Sequence, residues 1–215
     1  MKFGKAFLIE GLWVAIVLAI FSLAVQSYFQ DQFRRDFSYV LSNHLGSVQG
    51  VIKKDPGLIV QGVHVNDKNV ITYPSLPSWL NVSLKADKFS NRSDARILLH
   101  PFPGSKHELE WNNVPRGKNL RLKYGFSDSA LNHKPAEKMG VVLEVFNGSG
   151  SPIYSATLIC EQRLECPKGL QSADILNPFE SVVDSLDSTT SLRFSVSPIS
   201  DSVNYHWFYV DGYIW

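Results

Sequence analysis

Six aromatic residues in the second half of the chain are the best placed to do binding chemistry: Trp111, Tyr124, Tyr205, Trp207, Tyr209 and Trp215. Tyr205, Trp207 and Tyr209 alternate with His206 and Phe208, so a strand would turn three rings to one face. Exposed aromatic faces stack on sugar rings or anchor a protein interface. On an inward face the same rings simply fill a core. Both readings stay open for each ring. Trp215 ends the apolar run Gly212-Tyr213-Ile214-Trp215 and is expected to dock on its own domain or on a partner.

Other chemistry is thinly supported. The histidines His44, His64, His100, His107, His133 and His206 show no helical i, i+4 pair and no H-x-H on a strand, so no metal site is expected. Gly125-Phe126-Ser127-Asp128-Ser129 lacks the second glycine of a nucleophile elbow. No phosphate-binding loop or dinucleotide fingerprint occurs. Asp128, Glu144, Asp174 and Asp201 have no spacing that fixes an acid–base pair, and read as surface charges. No enzyme activity and no cofactor are expected. Cys160 and Cys166 are the only cysteines; six apart in a polar stretch, they suit one local disulfide in an oxidising compartment.

The elements that carry these residues begin with an apolar run. Residues 6–25, AFLIEGLWVAIVLAIFSLAV, hold one charge, Glu10, and are long enough as a helix to span a bilayer. A cleaved signal peptide is the rival reading, with Ser22-Leu23-Ala24 as the cleavage site. Lys2 and Lys5 before the run balance Arg34 and Arg35 after it, so charge does not orient it. The short N-terminal tail favours a cytoplasmic N-terminus and an extracytoplasmic C-terminal domain. Glu10 and Trp13 would contact membrane or partner. Phe29, Phe33, Phe37, Val40, Leu41, Leu45 and Val48 then recur at helical spacing, which predicts an amphipathic stalk helix. The expected organisation is an anchor over 1–28, a stalk helix over 29–54, a β-hairpin and Pro-rich connector over 55–80, and one domain over 81–215. The phenylalanines Phe29, Phe33 and Phe37 would face membrane or partner.

Residues 81–215 read as many short strands between turns. The runs are 82–89, 96–99, 108–111, 120–125, 141–146, 153–159, 181–186, 192–196 and 205–210. In Leu120-Arg121-Leu122-Lys123-Tyr124 every second residue is apolar, so one face is buried and the other wet. The pattern predicts a mainly β chain, an antiparallel sandwich or jelly roll, on one long N-terminal helix.

Two resemblances add to this. Leu109-Glu110-Trp111, Val114-Pro115-Arg116-Gly117, Leu120-Arg121-Leu122, Gly125-Phe126-Ser127-Asp128-Ser129-Ala130 and Val141–Val145 resemble the middle of galactose-binding-like jelly rolls. Those include the carbohydrate-binding modules attached to glycosidases. Leu192-Arg193-Phe194 and Asn204–Val210 are similar to their last strands. The resemblance implies the fold, and glycan contact by aromatic faces. The segment Ala6–Glu10 resembles the start of type IV pilin-like proteins, but Lys5 stands where their processing needs glycine.

Charge narrows the partner. With 21 Lys+Arg against 20 Asp+Glu the net charge is +1, which argues against nucleic acid. The sequence therefore predicts a non-catalytic single-pass membrane subunit whose β head braces a complex of membrane proteins. A membrane-tethered carbohydrate-binding module and a pilin-like filament subunit are the alternatives. The expected partners are other membrane subunits, the lipid bilayer and a glycan.

Overall fold

The structure is a computed structural model that describes residues 13, 16–23, 25–26, 39–54, 56–65, 69–133, 138–148, 150–179, 189–199 and 207–215. The chain divides into two compact units, residues 1–38 and residues 39–215. In the first, the described residues are helical and Trp13, Phe21 and Leu23 are exposed. No helix among the described residues is long and apolar enough to cross a membrane. Glu10, Phe29, Phe33, Phe37 and much of the expected span lie outside the described residues.

The second unit is built of strands. In order they are β1 (Tyr39–Val40), β2 (Val48–Lys54), β3 (Leu58–Gln61), β4 (Val63–His64), β5 (Val70–Thr72), β6 (Val82–Phe89) and β7 (Arg92–Leu99). Then come β8 (Ser105–Pro115), β9 (Asn119–Phe126), β10 (Met139–Phe146), β11 (Pro152–Cys160), β12 (Gln171–Leu176), β13 (Thr189–Pro198) and β14 (Phe208–Ile214). A short helix, Asp128–Asn132, follows β9, and single 3-10 turns cover Leu41–Ser47, Ser78–Leu80 and Arg163–Glu165.

The strands form two antiparallel sheets. One has the order β12-β9-β14-β7-β6-β5-β4, and the other β11-β10-β13-β8-β2-β3. The last eight strands are shared four and four between the sheets, β7-β14-β9-β12 in one and β8-β13-β10-β11 in the other, changing sheet at every step but β10 to β11. That is the arrangement of two interleaved Greek keys, a jelly roll. The antiparallel sandwich expected from the alternation is therefore present. Strand β1 lies beside the end of β14, pairing Tyr39 with Ile214 and Val40 with Tyr213, while β7 pairs with Phe208–Val210 on the same side.

The stalk helix is corrected for its described part. Residues 39–54 are a strand, a 3-10 turn and a strand, not a continuous helix. Val40, Leu41, Leu45 and Val48 are buried, as their spacing implied, but in the sandwich core. From Val48 the burial alternates: Val48, Gly50 and Ile52 point inward while Gln49 and Lys53 are exposed. Val48, Val51 and Ile52 are β-branched, and Gly46 and Gly50 are poor helix formers, so local propensity favours extended chain. Strand β2 pairs with β8 along its length and β3 pairs with β2, so residues before the expected boundary at 80 sit in the same sheet as residues after it. The expected hairpin is formed by β4 and β5 alone. The strand expected over 181–186 lies outside the described residues, and β12 was not anticipated.

Candidate functional site

Three of the six aromatic candidates are structural. Trp111 has no exposed surface; its ring packs on Phe194 with centroids 5.0 Å apart, and its indole N–H donates to the Leu41 carbonyl at 3.0 Å. Tyr209 is equally buried, edge-on to Phe89, with its hydroxyl donating to Asp87 Oδ2 at 2.8 Å. Tyr124 is buried and shares a 2.6 Å hydrogen bond with the Tyr154 hydroxyl. Of the two readings left open for these rings, burial favours core packing: each faces neighbouring side chains, with 6% of Tyr124 and none of Trp111 or Tyr209 exposed. Tyr205 lies outside the described residues.

Trp207 and Trp215 keep partly exposed surface, but they stand at opposite ends of β14. Eight residues of extended chain put them roughly 26 Å apart, so they cannot share one small ligand. Trp215 exchanges backbone hydrogen bonds with Asn119, and its ring and that of Tyr213 both lie under 6 Å from the Arg121 guanidinium. Arg121 is held by Asp174 through two hydrogen bonds of 2.5 and 2.7 Å. Trp207 has the Lys85 ammonium 5.3 Å above its ring and lies near-parallel to His133, with centroids 6.4 Å apart.

His133 leads to a site that the sequence reading passed over. The residue before it, Asn132, lines a cup of about 150 Å³ with Ser90, Asn91, Asp128, Leu131, Leu164 and Lys168. The cup closes one end of the sandwich. Its first wall is the β6–β7 hairpin turn. Phe89 pairs with Arg92, leaving a two-residue turn at Ser90-Asn91, and both have positive φ, 50° and 64°. This is the type I′ geometry that suits the twist of paired strands.

The second wall is the short helix. Ser127 caps it, its hydroxyl oxygen accepting the Ala130 N–H at 3.2 Å. Asp128 then ties helix to turn, accepting the N–H groups of Ser90 at 3.0 Å and Asn91 at 2.9 Å. Asp87 makes a second tie, accepting the Ser129 hydroxyl at 2.9 Å. Burial would raise the Asp87 pKa, but hydrogen bonds from Lys88 N–H, Tyr209, Ser127 and Ser129 together hold it below the usual carboxylate value.

The third wall is the loop closed by the Cys160–Cys166 disulfide, which was expected from the spacing and is present. It carries Leu164, and beside it Arg163 is fully buried. Arg163 Nη1 donates to the His133 carbonyl at 2.6 Å and the Ala130 carbonyl at 3.4 Å, satisfying the C-terminal end of the helix. Lys168 follows the loop. Gly169, with φ of 80°, lets this segment approach the turn; a Cβ there would stand 2.6 Å from Ser90 Oγ.

The polar ends in the cup are unspent. Among the described residues, the side chains of Asn91, Asn132 and Lys168 make no hydrogen bond or ion pair. A larger groove of about 520 Å³, lined by Lys53, Lys54, Lys106, Leu58 and Ile59, differs in this respect. There Lys53 is paired with Glu108 at 2.7 Å and Lys106 with Glu144 at 3.1 Å. No group of three or more potential metal ligands occurs among the described residues. Asn91, Asn132 and Lys168 were missed because such residues in turns read as ordinary surface. The available signal was Ser-Asn between two alternating strands, with a Ser-capped turn of helix after a third.

No protein-family model and no curated protein sequence matches the chain. Solved structures do match in shape. A CBM51 carbohydrate-binding module from Clostridium perfringens GH95, solved with methyl-galactose, is 9% identical with a TM-score of 0.37, over 61% of this chain and 80% of that one. The CBM61 module TmCBM61, solved with beta-1,4-galactotriose, is 13% identical with a TM-score of 0.35, over 75% of this chain and 86% of that one. A CBM28 module specific for non-crystalline cellulose is 9% identical with a TM-score of 0.35, over 60% and 78%. Likenesses this distant carry no argument about what this chain binds, and the site must be judged on its own residues.

Proposed function

We propose that the sandwich is a non-catalytic glycan-binding head whose end cup receives one sugar ring. The cup carries this reading: Asn91, Asn132 and Lys168 present unspent polar ends around the apolar side chains of Leu131 and Leu164. Amides and ammonium groups bond hydroxyls, and leucine covers the C–H face of a ring. At about 150 Å³ the cup is well below the ~300 Å³ of an ordinary ligand pocket, which suits a single ring rather than an oligosaccharide. Binding without hydrolysis is supported by the titratable groups. Glycosidases use two carboxyl groups across the scissile bond, whereas Asp128 is the one carboxylate lining the cup.

The disulfide supports residence in an oxidising compartment. The apolar run over 6–25 supports a membrane tether with the N-terminus cytoplasmic and the head outside. Assembly into a complex of membrane proteins ranks second, because it rests on that N-terminal segment alone.

The test is a glycan array and titration calorimetry on the full chain of 215 residues in mild detergent. Binding to terminal sugars is expected with Kd on the order of a millimolar, as about a dozen heavy atoms at ~0.3–0.4 kcal/mol each allow. The double variant Asn91→Gly, Asn132→Ala should lose it at unchanged melting temperature, glycine being the residue that keeps the positive φ at 91. A wild-type chain that binds no glycan sinks the reading.

A further inference from the structure

We infer that the ring taken by the cup is acidic, a sugar bearing a carboxylate, and that Lys168 holds that carboxylate. This rests on the glycan-binding reading of the same cup and adds the charge of its ligand.

The argument starts from a mismatch in the lining. Lys168 offers three N–H donors and no acceptor, and the amides of Asn91 and Asn132 each offer two N–H and one oxygen. The carboxylate of Asp128 lines the same cup but is turned to the hairpin. Its two oxygens already accept the backbone N–H groups of Ser90 and Asn91, and it makes no ion pair with Lys168. A neutral sugar hydroxyl both donates and accepts, so a ring of hydroxyls leaves this donor-rich wall partly unmatched. A carboxylate only accepts, and fits it.

The charge of Lys168 is also left over. Nearby acids are engaged elsewhere or stand apart: Glu161 is paired with Lys138 at 2.8 Å, and Glu165 on the neighbouring 3-10 turn makes no ion pair. Two of the three lysines in the larger groove, Lys53 and Lys106, each sit on a glutamate, and Lys54 lies over the Phe102 ring. The backbone on either side of Lys168 is held, by the disulfide at Cys166 and by the close packing of Gly169 on Ser90, while its side chain is exposed. An accessible, unpaired ammonium beside free amides is a receptor for an anion.

Matched probes test this on the full chain. Methyl galactoside is compared with methyl galacturonide, and methyl glucoside with methyl glucuronide; each pair differs only by the carboxylate. The acid of at least one pair should bind about tenfold more tightly at low salt, the scale of a charge-assisted hydrogen bond. That advantage should shrink at high salt and vanish in Lys168→Gln, with folding checked by the melting temperature. Neutral sugars that bind as well or better, and are lost in the double Asn variant, overturn the inference and leave the glycan reading standing. An acid preference that survives Lys168→Gln also overturns it. If neither pair binds and the array is blank, both fall together.

Discussion

His107 is enclosed between the rings of Tyr73 and Phe102, and neither of its nitrogens has a hydrogen-bond partner. Burial, and then the charge of His100, hold its pKa down to about 3. Burial, and then Lys85, hold His100 down to about 4. An unfolded histidine titrates near 6.5. Above about pH 6.5 both states are neutral and these groups do not make stability depend on pH. Below it the unfolded chain takes up protons that the folded chain refuses, so stability falls until the folded pKa values are reached. Urea midpoints should therefore drop between pH 6.5 and 4. His107→Phe should leave stability at pH 7 unchanged or higher, because it removes two unbonded buried nitrogens, and should flatten part of the acid drop. A wild-type midpoint that stays level over this range contradicts the assignment. Arg163 makes the opposite kind of residue prediction. Arg163→Leu strands the carbonyls it serves at the helix end, and should cost about 3 kcal/mol in thermal unfolding; a change below ~1 kcal/mol would show that water replaces it.

The walls of the cup are elements tied pairwise: turn to helix by Asp128, helix to β6 by Asp87, helix to disulfide loop by Arg163. Reducing the disulfide should then act twice. Freeing so short a loop removes about 2 kcal/mol of unfolded-state constraint, and it loosens Leu164, so calorimetric affinity for the sugar should fall in dithiothreitol. Unchanged affinity in the reduced protein would mean that the loop is not a wall. The element scale also shows what was legible in the sequence. A strand with a clean alternation, such as β9, stood out, because one wet and one buried face imposes a period of two. Strand β12, Gln-Ser-Ala-Asp-Ile-Leu, did not, since its inward residues are only half-buried and its outward ones include Leu176. Between Val40 and Val48 the apolar spacing fits a helix, but pairing of Val40 with β14 and of Val48 with β8 at its two ends leaves only a 3-10 segment between two strands. The aromatic candidates could not be sorted, because alternation gives the two faces of a strand but not which of them faces the core. The cup escaped altogether: its residues come from three separated segments, which only the folded chain brings together.

At the scale of the whole molecule, the cup and Trp215 occupy opposite ends of β14. Trp207→Ala should weaken glycan binding through His133 and the cup's edge, whereas Trp215→Ala should leave it unchanged; a titration with both variants checks this. If Trp215→Ala abolishes binding without unfolding, the ligand site is at the other end of the sandwich. The pairing of Tyr39 with Ile214 has a further consequence. The first and last strands of this unit complete the same sheet, so the largest loop closure in the fold must wait for the last residues to arrive. A growing chain on the ribosome would carry β1 with an open edge until β14 has been made. The order of manufacture and the order of stabilisation are thus reversed at this edge. Slow synthesis or chaperone cover would matter most for β1, the short segment that leads into the head.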